Sequence, residues 1–126
     1  SYTLESALSK MLHEYSDISH IKIKLDYEWG NANFQKTTEN IIFRVIEETV
    51  TNSLRHGHAT KIWIKCTSNN SSYILSIHNN GKSETHIKPG YGITQMRERL
   101  TIINGTVEFD GKKGFTTVVK FPKVGV

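Results

Sequence analysis

Four polar side chains between Phe43 and His58 are of types that could do chemistry together. On a helix with about 100° per residue, Glu48, Asn52 and His56 follow one another along one stripe. Arg55 lies beside them. A carboxylate, an amide, an imidazole and a guanidinium on one stripe could hold a metal-bound anion. The other interpretation is that the stripe is the solvated side of an ordinary amphipathic helix.

The apolar residues of the same helix help to choose between these interpretations. The predicted core face consists of Ile42, Phe43, Ile46, Val50 and Leu54. Ile41 and Val45, however, share the angular positions of the polar stripe. A freely solvated face would have little use for two β-branched apolar residues. We therefore expect a half-buried stripe that lines a pocket.

A glycine-rich segment, residues 79–92, could supply the rest of such a pocket. It reads NNGKSETHIKPGYG, shows no periodicity, and is long for a simple connector. We expect a functional loop that closes over a ligand. Gly90 and Gly92 would let backbone amides approach a phosphate at the start of the next helix, where the helix dipole also favours an anion.

Hydrophobic periodicity predicts the elements that position these residues. Helices are predicted over residues 3–16, 36–56 and 93–103. Strands are predicted over residues 20–29, 60–67, 72–78, 106–110 and 115–121, with 60–67 and 72–78 paired antiparallel. The resulting order is α, β, α, β, β, loop, α, β, β. It predicts an α/β sandwich in which three helices cover one face of a mixed sheet.

Composition narrows the class of protein. The 126 residues suit a single domain, and there is no apolar run near the roughly 20 residues that a membrane span needs. The chain starts with Ser and shows no signal-peptide pattern, so we expect a piece excised from a longer protein. The net charge of +4 is scattered, which suits a phosphate ligand better than a nucleic acid. The single cysteine, Cys66, is predicted to be a buried thiol.

The segment RVIEETVTNSLRHG resembles the N box of the catalytic ATP-binding domain of bacterial two-component sensor histidine kinases, in the GHKL superfamily. The resemblance implies that Asn52 is a Mg²⁺ ligand and that Glu48 orders the metal's water shell or acts as a base. It implies that Arg55 and His56 face the phosphates. It also implies the Bergerat fold, a two-layer α/β sandwich whose mixed, mostly antiparallel sheet is covered on one face by three helices.

A second block, GYGITQMRERL, resembles the second glycine box and the following helix of these kinases. The match is to the subfamily that is paired with helix-turn-helix response regulators of the LuxR/NarL type. It implies nucleotide contacts by Gly90, Tyr91, Gly92 and Ile93. Met96 is predicted to lie in the core. The residues leave open whether Arg97 and Arg99 are solvated or face a phosphate.

The sequence departs from the family pattern at the adenine end. The family has a DxGxG box whose Asp accepts a hydrogen bond from the adenine amine, and this chain has Asn79, Gly81 and Ser83 at the Asp and the two Gly positions. An Asn oxygen can accept the same bond without charge assistance. The last strand reads GFTT from Gly114, where relatives have Gly then Thr, and Thr117 could replace that Thr.

The resemblance implies the ATP-binding part of a protein-histidine kinase. Such a domain uses ATP and Mg²⁺, and presents the γ-phosphate to a histidine on a separate dimerisation domain of the parent chain, from which it passes to a response regulator. A cytoplasmic location is implied, within a cytoplasmic or membrane-anchored parent, without nucleic-acid or membrane contact by this domain. The alternative is a degenerate regulatory module that binds nucleotide weakly or not at all. A serine kinase of the anti-sigma-factor type has the same fold, but the MRER helix disfavours it.

Overall fold

The computed structural model describes residues 3–56, 58–82 and 91–124, apart from the side chain of Tyr91. The elements are α1 (Leu4–Ser19), β1 (Lys22–Tyr27), α2 (Lys36–His56), β2 (Lys61–Ser68), β3 (Ser72–Asn79), α3 (Tyr91–Thr101), β4 (Thr106–Asp110) and β5 (Phe115–Pro122). Their order confirms the predicted one. Strand β1 is shorter than predicted, and α1 runs on to Ser19.

The strands form one mixed sheet in the order β1-β2-β3-β5-β4. Strand β1 runs parallel to β2, and the other neighbours are antiparallel, including the predicted β2–β3 pair. Strand β3 lies at the centre, and the β3–β5 register sets Asn79 opposite Phe115 and Ile77 opposite Thr117. The sheet therefore brings the end of β3 beside the start of β5.

The three helices cover one face of this sheet. Alternate residues of β2 are buried, among them Ile62, Ile64 and Cys66, while the residues between them are exposed. Helix α1 packs beside β1, α2 against β3, and α3 against β4. The predicted α/β sandwich is confirmed. Within the described ranges, no helix combines the length and hydrophobicity that a membrane crossing requires.

An aromatic cluster fills the core at the end of the sheet where β3 begins. The indole of Trp29 is buried, and its Nε1 donates a hydrogen bond to the carbonyl of Thr67 at 2.6 Å. The Trp29 ring makes edge contacts with the rings of Tyr27, Phe34, Tyr73 and Phe121. Such contacts add to the free energy gained by burying the rings. They anchor the sheet at the end opposite Asn79.

The buried face of α2 differs from the predicted one. Its buried residues are Thr38, Ile41, Ile42, Val45, Ile46, Thr49, Val50 and Ser53, whereas Phe43 and Leu54 are only partly buried. At about 100° per residue, the face is turned toward Ile41 and Val45 by roughly 80°. Two hydroxyl residues fit this face because they donate to carbonyls of their own helix, Thr49 to Val45 and Ser53 to Thr49.

Helix α3 begins at Tyr91, two residues earlier than predicted, so Gly92 lies in its first turn rather than in the preceding loop. Met96 is 4% exposed, which confirms its predicted core position. Most of the predicted ligand loop, residues 83–90, lies outside the described residues. Gly57, the predicted stop of the second helix, does too.

Candidate functional site

The end of β3 is fastened to helix α2 by a chain of buried hydrogen bonds. Asn79 is only 4% exposed, and its Nδ2 donates to Oγ of Ser53 at 3.0 Å. Ser53 in turn donates from Oγ to the carbonyl of Thr49 at 2.9 Å. On the other side, the backbone N–H of Gly81 donates to Oδ1 of Asn79 at 2.9 Å. Helix α2 and the end of β3 thus meet at one amide.

These bonds fix the orientation of the Asn79 amide. The N–H of Gly81 can only donate, so the atom that it contacts is the amide oxygen. The single hydroxyl hydrogen of Ser53 is used on Thr49, so Ser53 accepts from the amide nitrogen. An amide has two acceptor positions and two N–H donors. No described residue uses the other acceptor position or the other N–H of Asn79.

Thr117 lies close to this amide and has an unusual environment. It is 1% exposed on the helix side of β5, diagonal to Asn79 across the β3–β5 pair. Its Oγ1 is buried and has no hydrogen-bond partner within the described part of the chain. A buried hydroxyl without a partner costs about 1–3 kcal/mol. A native chain retains such a group when a ligand or water supplies the partner.

The polar stripe of α2 is only partly buried. Glu48 is half-buried, with 29% of its side chain exposed, and its Oε1 accepts a hydrogen bond from Nη1 of Arg99 at 2.8 Å. Asn52, Arg55 and His56 are exposed. The prediction of a half-buried stripe is therefore right for Glu48 and wrong for the other three. The rotation turns the buried face toward this stripe, but among the described contacts of its four residues only Glu48 receives a hydrogen bond from another helix, that from Arg99.

The start of α3 is the predicted second wall of the pocket. Gly92 lies in its first turn, and a Cβ added there would meet no atom of a described residue within 4 Å. On that side, no described residue covers its backbone. Ile93 follows it and is partly buried. Gly90 and the side chain of Tyr91, both predicted to bind nucleotide, lie outside the described residues.

Two other kinds of site do not account for the predicted nucleotide-binding residues. Among the described residues, no three His, Cys, Asp or Glu side chains are grouped so that they could hold a metal ion. An open depression of about 570 Å³ lies between α3 and β4 and is lined by Arg97, Thr106, Val107, Glu108 and Phe109. It contains none of the predicted nucleotide-binding residues. The candidate site is therefore the region where α2 meets the end of β3, with Glu48 of α2 bonded to Arg99 of α3.

No protein-family model matches the chain. Curated proteins do match: the sensor histidine kinase LiaS of Bacillus subtilis is 29% identical over 122 residues, which cover 93% of this chain and 33% of LiaS. The sensor protein VraS of Staphylococcus aureus is 29% identical over 89 residues, which cover 68% of this chain and 26% of VraS. The chain is a homologue of sensor histidine kinases. It spans about a third or a quarter of the length of these two relatives.

Solved structures show the fold of this histidine kinase homologue. The histidine kinase AdeS of Acinetobacter baumannii superimposes with a TM-score of 0.79 at 18% identity, over 97% of this chain and 64% of that chain. The catalytic domain of the histidine kinase ThkA gives a TM-score of 0.75 at 13% identity, over 95% of this chain and 90% of that one. At these identities the likeness establishes the fold of histidine kinase catalytic domains, as predicted.

Sequence patterns missed two residues of the site in this histidine kinase homologue. No motif points to Ser53, although it follows Asn52 directly and stands four residues after Thr49, so that its hydroxyl can donate to the helix backbone. The sequence allows either a solvated or a phosphate-facing Arg99, and the structure pairs this residue with Glu48. No local signal predicts that pair, because its partners are 51 positions apart.

Proposed function

We propose that this chain is the ATP-binding catalytic domain of a bacterial sensor histidine kinase, excised from a longer parent. It binds Mg·ATP and presents the γ-phosphate to a histidine on a separate dimerisation domain. The relationship to sensor histidine kinases and the fold of their catalytic domains support this proposal. The observation that carries it is local to the chain: a buried hydroxyl of Thr117 without a described partner, beside a fixed and half-used amide of Asn79.

The adenine ring fits the groups that the fold leaves open. Adenine presents an amine that donates and a ring nitrogen that accepts, a pattern that an Asn amide can match with both of its functions. Within the described part of the chain, Asn79 retains one acceptor position and one N–H after its bonds to Ser53 and Gly81. The Thr117 hydroxyl offers a further donor or acceptor on the same face of the sheet.

The phosphates and the metal are assigned to the stripe of α2 and the start of α3. A Mg²⁺ ion prefers oxygen ligands and keeps several waters, so Asn52 and the phosphate oxygens would hold it, with Glu48 binding one of its waters. Arg55 and His56 are exposed and free to face the phosphates. Gly92 and Ile93, with Gly90 and Tyr91 before them, would offer backbone N–H groups at the helix start.

The chemistry asked of this domain is positioning and charge neutralisation. Phosphoryl transfer needs little covalent help from the protein, because most of the catalysis comes from holding the transferred group in line and stabilising its charge. When bound, Mg²⁺ supplies part of that neutralisation. The parent kinase would act in the cytoplasm and pass the phosphoryl group to a response regulator, of the helix-turn-helix type if the MRER helix marks that subfamily.

Replacing Thr117 with Val tests the adenine end. Because Val keeps the shape and removes the unpaired hydroxyl, we expect Thr117→Val to raise the free energy of unfolding by about 1 kcal/mol without nucleotide. If that hydroxyl contacts the ligand, affinity for ADP should fall by up to about tenfold. Urea unfolding and calorimetric titration measure the two effects.

Thr49→Val is the matched control, because the Thr49 hydroxyl is already bonded to the carbonyl of Val45. We expect Thr49→Val to leave ADP affinity unchanged. We also expect that it does not raise the free energy of unfolding as Thr117→Val does. Equal ADP affinity for Thr117→Val and the unmodified chain would remove Thr117 from the pocket. Absence of saturable binding of ADP or a non-hydrolysable ATP analogue at millimolar concentration would contradict the proposed function and favour the degenerate module.

A further inference from the structure

An ion pair joins helix α3 to helix α2 beside the proposed phosphate end of the site. Nη1 of Arg99 donates to Oε1 of Glu48 at 2.8 Å across 51 positions of the sequence. The other ion pairs among the described residues join positions three or four apart within one helix. Within the described ranges, the Arg99–Glu48 pair is thus the ion pair that depends on tertiary structure.

The geometry of this pair matters more than its energy. The side chains of Arg99 and Glu48 are 25% and 29% exposed, and ion pairs near the surface contribute little to stability. A short, charge-assisted hydrogen bond nevertheless fixes the direction of one carboxylate oxygen. No described residue engages the other oxygen, Oε2, of Glu48. Arg99 thus removes rotamer freedom from Glu48 before a ligand arrives.

A second arginine on the same helix has a different environment. Arg97 is two positions before Arg99, which corresponds to roughly 200° around a helix, so the two side chains leave on different sides. The guanidinium of Arg97 is exposed and lies 5.8 Å from the ring centroid of Phe109. Arg97 therefore offers a matched control of the same charge, on the same helix, without contact to Glu48.

We propose that Arg99 is a positioning residue for Glu48. The proposal rests on the proposed function: held through Oε1, Glu48 presents Oε2 to the water shell of the Mg²⁺ that accompanies ATP. Partners that orient metal-associated carboxylates in this way strongly affect metal affinity. Because Arg99 lies in the last turn of α3, the pair also fixes that end of the helix relative to Glu48.

The experiment is a calorimetric titration of the 126-residue chain with a non-hydrolysable ATP analogue, with and without Mg²⁺. In Arg99→Gln, we expect the gain in affinity that Mg²⁺ provides to fall by about tenfold, while affinity without Mg²⁺ is unchanged. Arg99→Lys should recover part of the gain, because an ammonium can pair with Glu48 but lacks the fixed fork of a guanidinium. Arg97→Gln should behave as the unmodified chain does.

A double variant tests whether Arg99 acts through Glu48. Glu48→Gln alone should lose the increase in nucleotide affinity that Mg²⁺ provides. Adding Arg99→Gln to Glu48→Gln should cause no further loss of this affinity. Equal losses with and without Mg²⁺ in Arg99→Gln would show a structural role and overturn the proposal. The same loss in Arg97→Gln would overturn it as well, since any nearby charge would then suffice. If the unmodified chain binds no nucleotide, the proposed function itself fails, which is a different result from unchanged Mg²⁺ dependence in Arg99→Gln.

Discussion

Asn79 and Ser53 are matched to each other. Ser53 can accept from the Asn79 amide because its own hydrogen is used on the carbonyl of Thr49. A carboxylate at position 79 would only accept, so Ser53 would have to give up that carbonyl and donate to the carboxylate. Position 79, where the kinases that this sequence resembles have Asp, thus holds an Asn whose hydrogen bonds join uncharged groups. No charge needs to be buried there.

Ser53→Ala should lower stability. The amide nitrogen of Asn79, in a side chain that is 4% exposed, would lose its described partner. We expect a loss of about 1–2 kcal/mol in the free energy of unfolding, after allowing for the better helix propensity of Ala. Ser9→Ala is the control, since Ser9 is exposed on α1 and should cost nothing. Urea unfolding of both variants measures the difference, and equal stabilities would show that the buried bond contributes nothing net.

The turn between β4 and β5 approaches the site through its last residue. Gly114 has a φ of +66°, in the left-handed region, and a Cβ added there would overlap the backbone carbonyl of Asn79. Neither strand can yield easily, because Asn79 pairs with Phe115 at this point of the sheet. The glycine therefore allows β5 to lie against the end of β3, which brings Thr117 next to Asn79.

Gly114→Ala should be costly for two reasons, strain and overlap. Gly30 allows the cost of strain to be measured without overlap. Its φ is +58°, but a Cβ added there would meet no atom of a described residue within 4 Å. Gly30→Ala should cost only the left-handed strain of about 1–2 kcal/mol. We expect Gly114→Ala to cost more than this and to weaken ADP binding, as measured by urea unfolding and calorimetry. Similar losses for the two variants would mean that β5 can move away from Asn79 without penalty.

Two titratable groups in the core make the whole molecule sensitive to alkali. Cys66 is fully buried, as predicted, and sits opposite Tyr27 in the β1–β2 pair. Burial, with a smaller effect of the nearby Asp26 carboxylate, raises the pKa of the Cys66 thiol from 9.0 to about 12. Burial is also the main cause that raises the pKa of Tyr27 from 10.0 to about 12. The negative charge of a deprotonated Cys66 is the second cause. Both groups are held neutral by the fold.

Stability should therefore fall as the pH rises from about 9 toward 12. In this range the unfolded chain releases the Cys66 proton while the folded chain keeps it, so deprotonation favours unfolding. Below pH 9 the contribution is fully present. Urea unfolding between pH 8 and 10.5 should show the decline, and Cys66→Ala should show a shallower one. Parallel pH profiles would assign the decline to another group, such as Tyr27.

Periodicity predicted the elements well because each has one apolar face, yet it misjudged where that face lies on α2. Thr49 and Ser53 count as polar in any pattern, but their hydroxyls are satisfied by the helix itself and can be buried. The strand order and the Arg99–Glu48 pair depend on contacts between distant segments, which local patterns do not carry. Residue types at the site were visible in the sequence, whereas their hydrogen-bond partners were not.

The two tryptophans give the protein two separate optical reporters. Trp29 is 5% exposed within the aromatic cluster, and Trp63 is 38% exposed on the uncovered face of the sheet, with its ring centroid 5.6 Å from that of His78. An indole in an apolar core emits at shorter wavelength than one in water, so the blue part of the emission belongs to Trp29. A loss of the short-wavelength emission therefore reports unfolding of the core around Trp29. A change in the long-wavelength emission reports a change in the surroundings of Trp63 on the open face of the sheet.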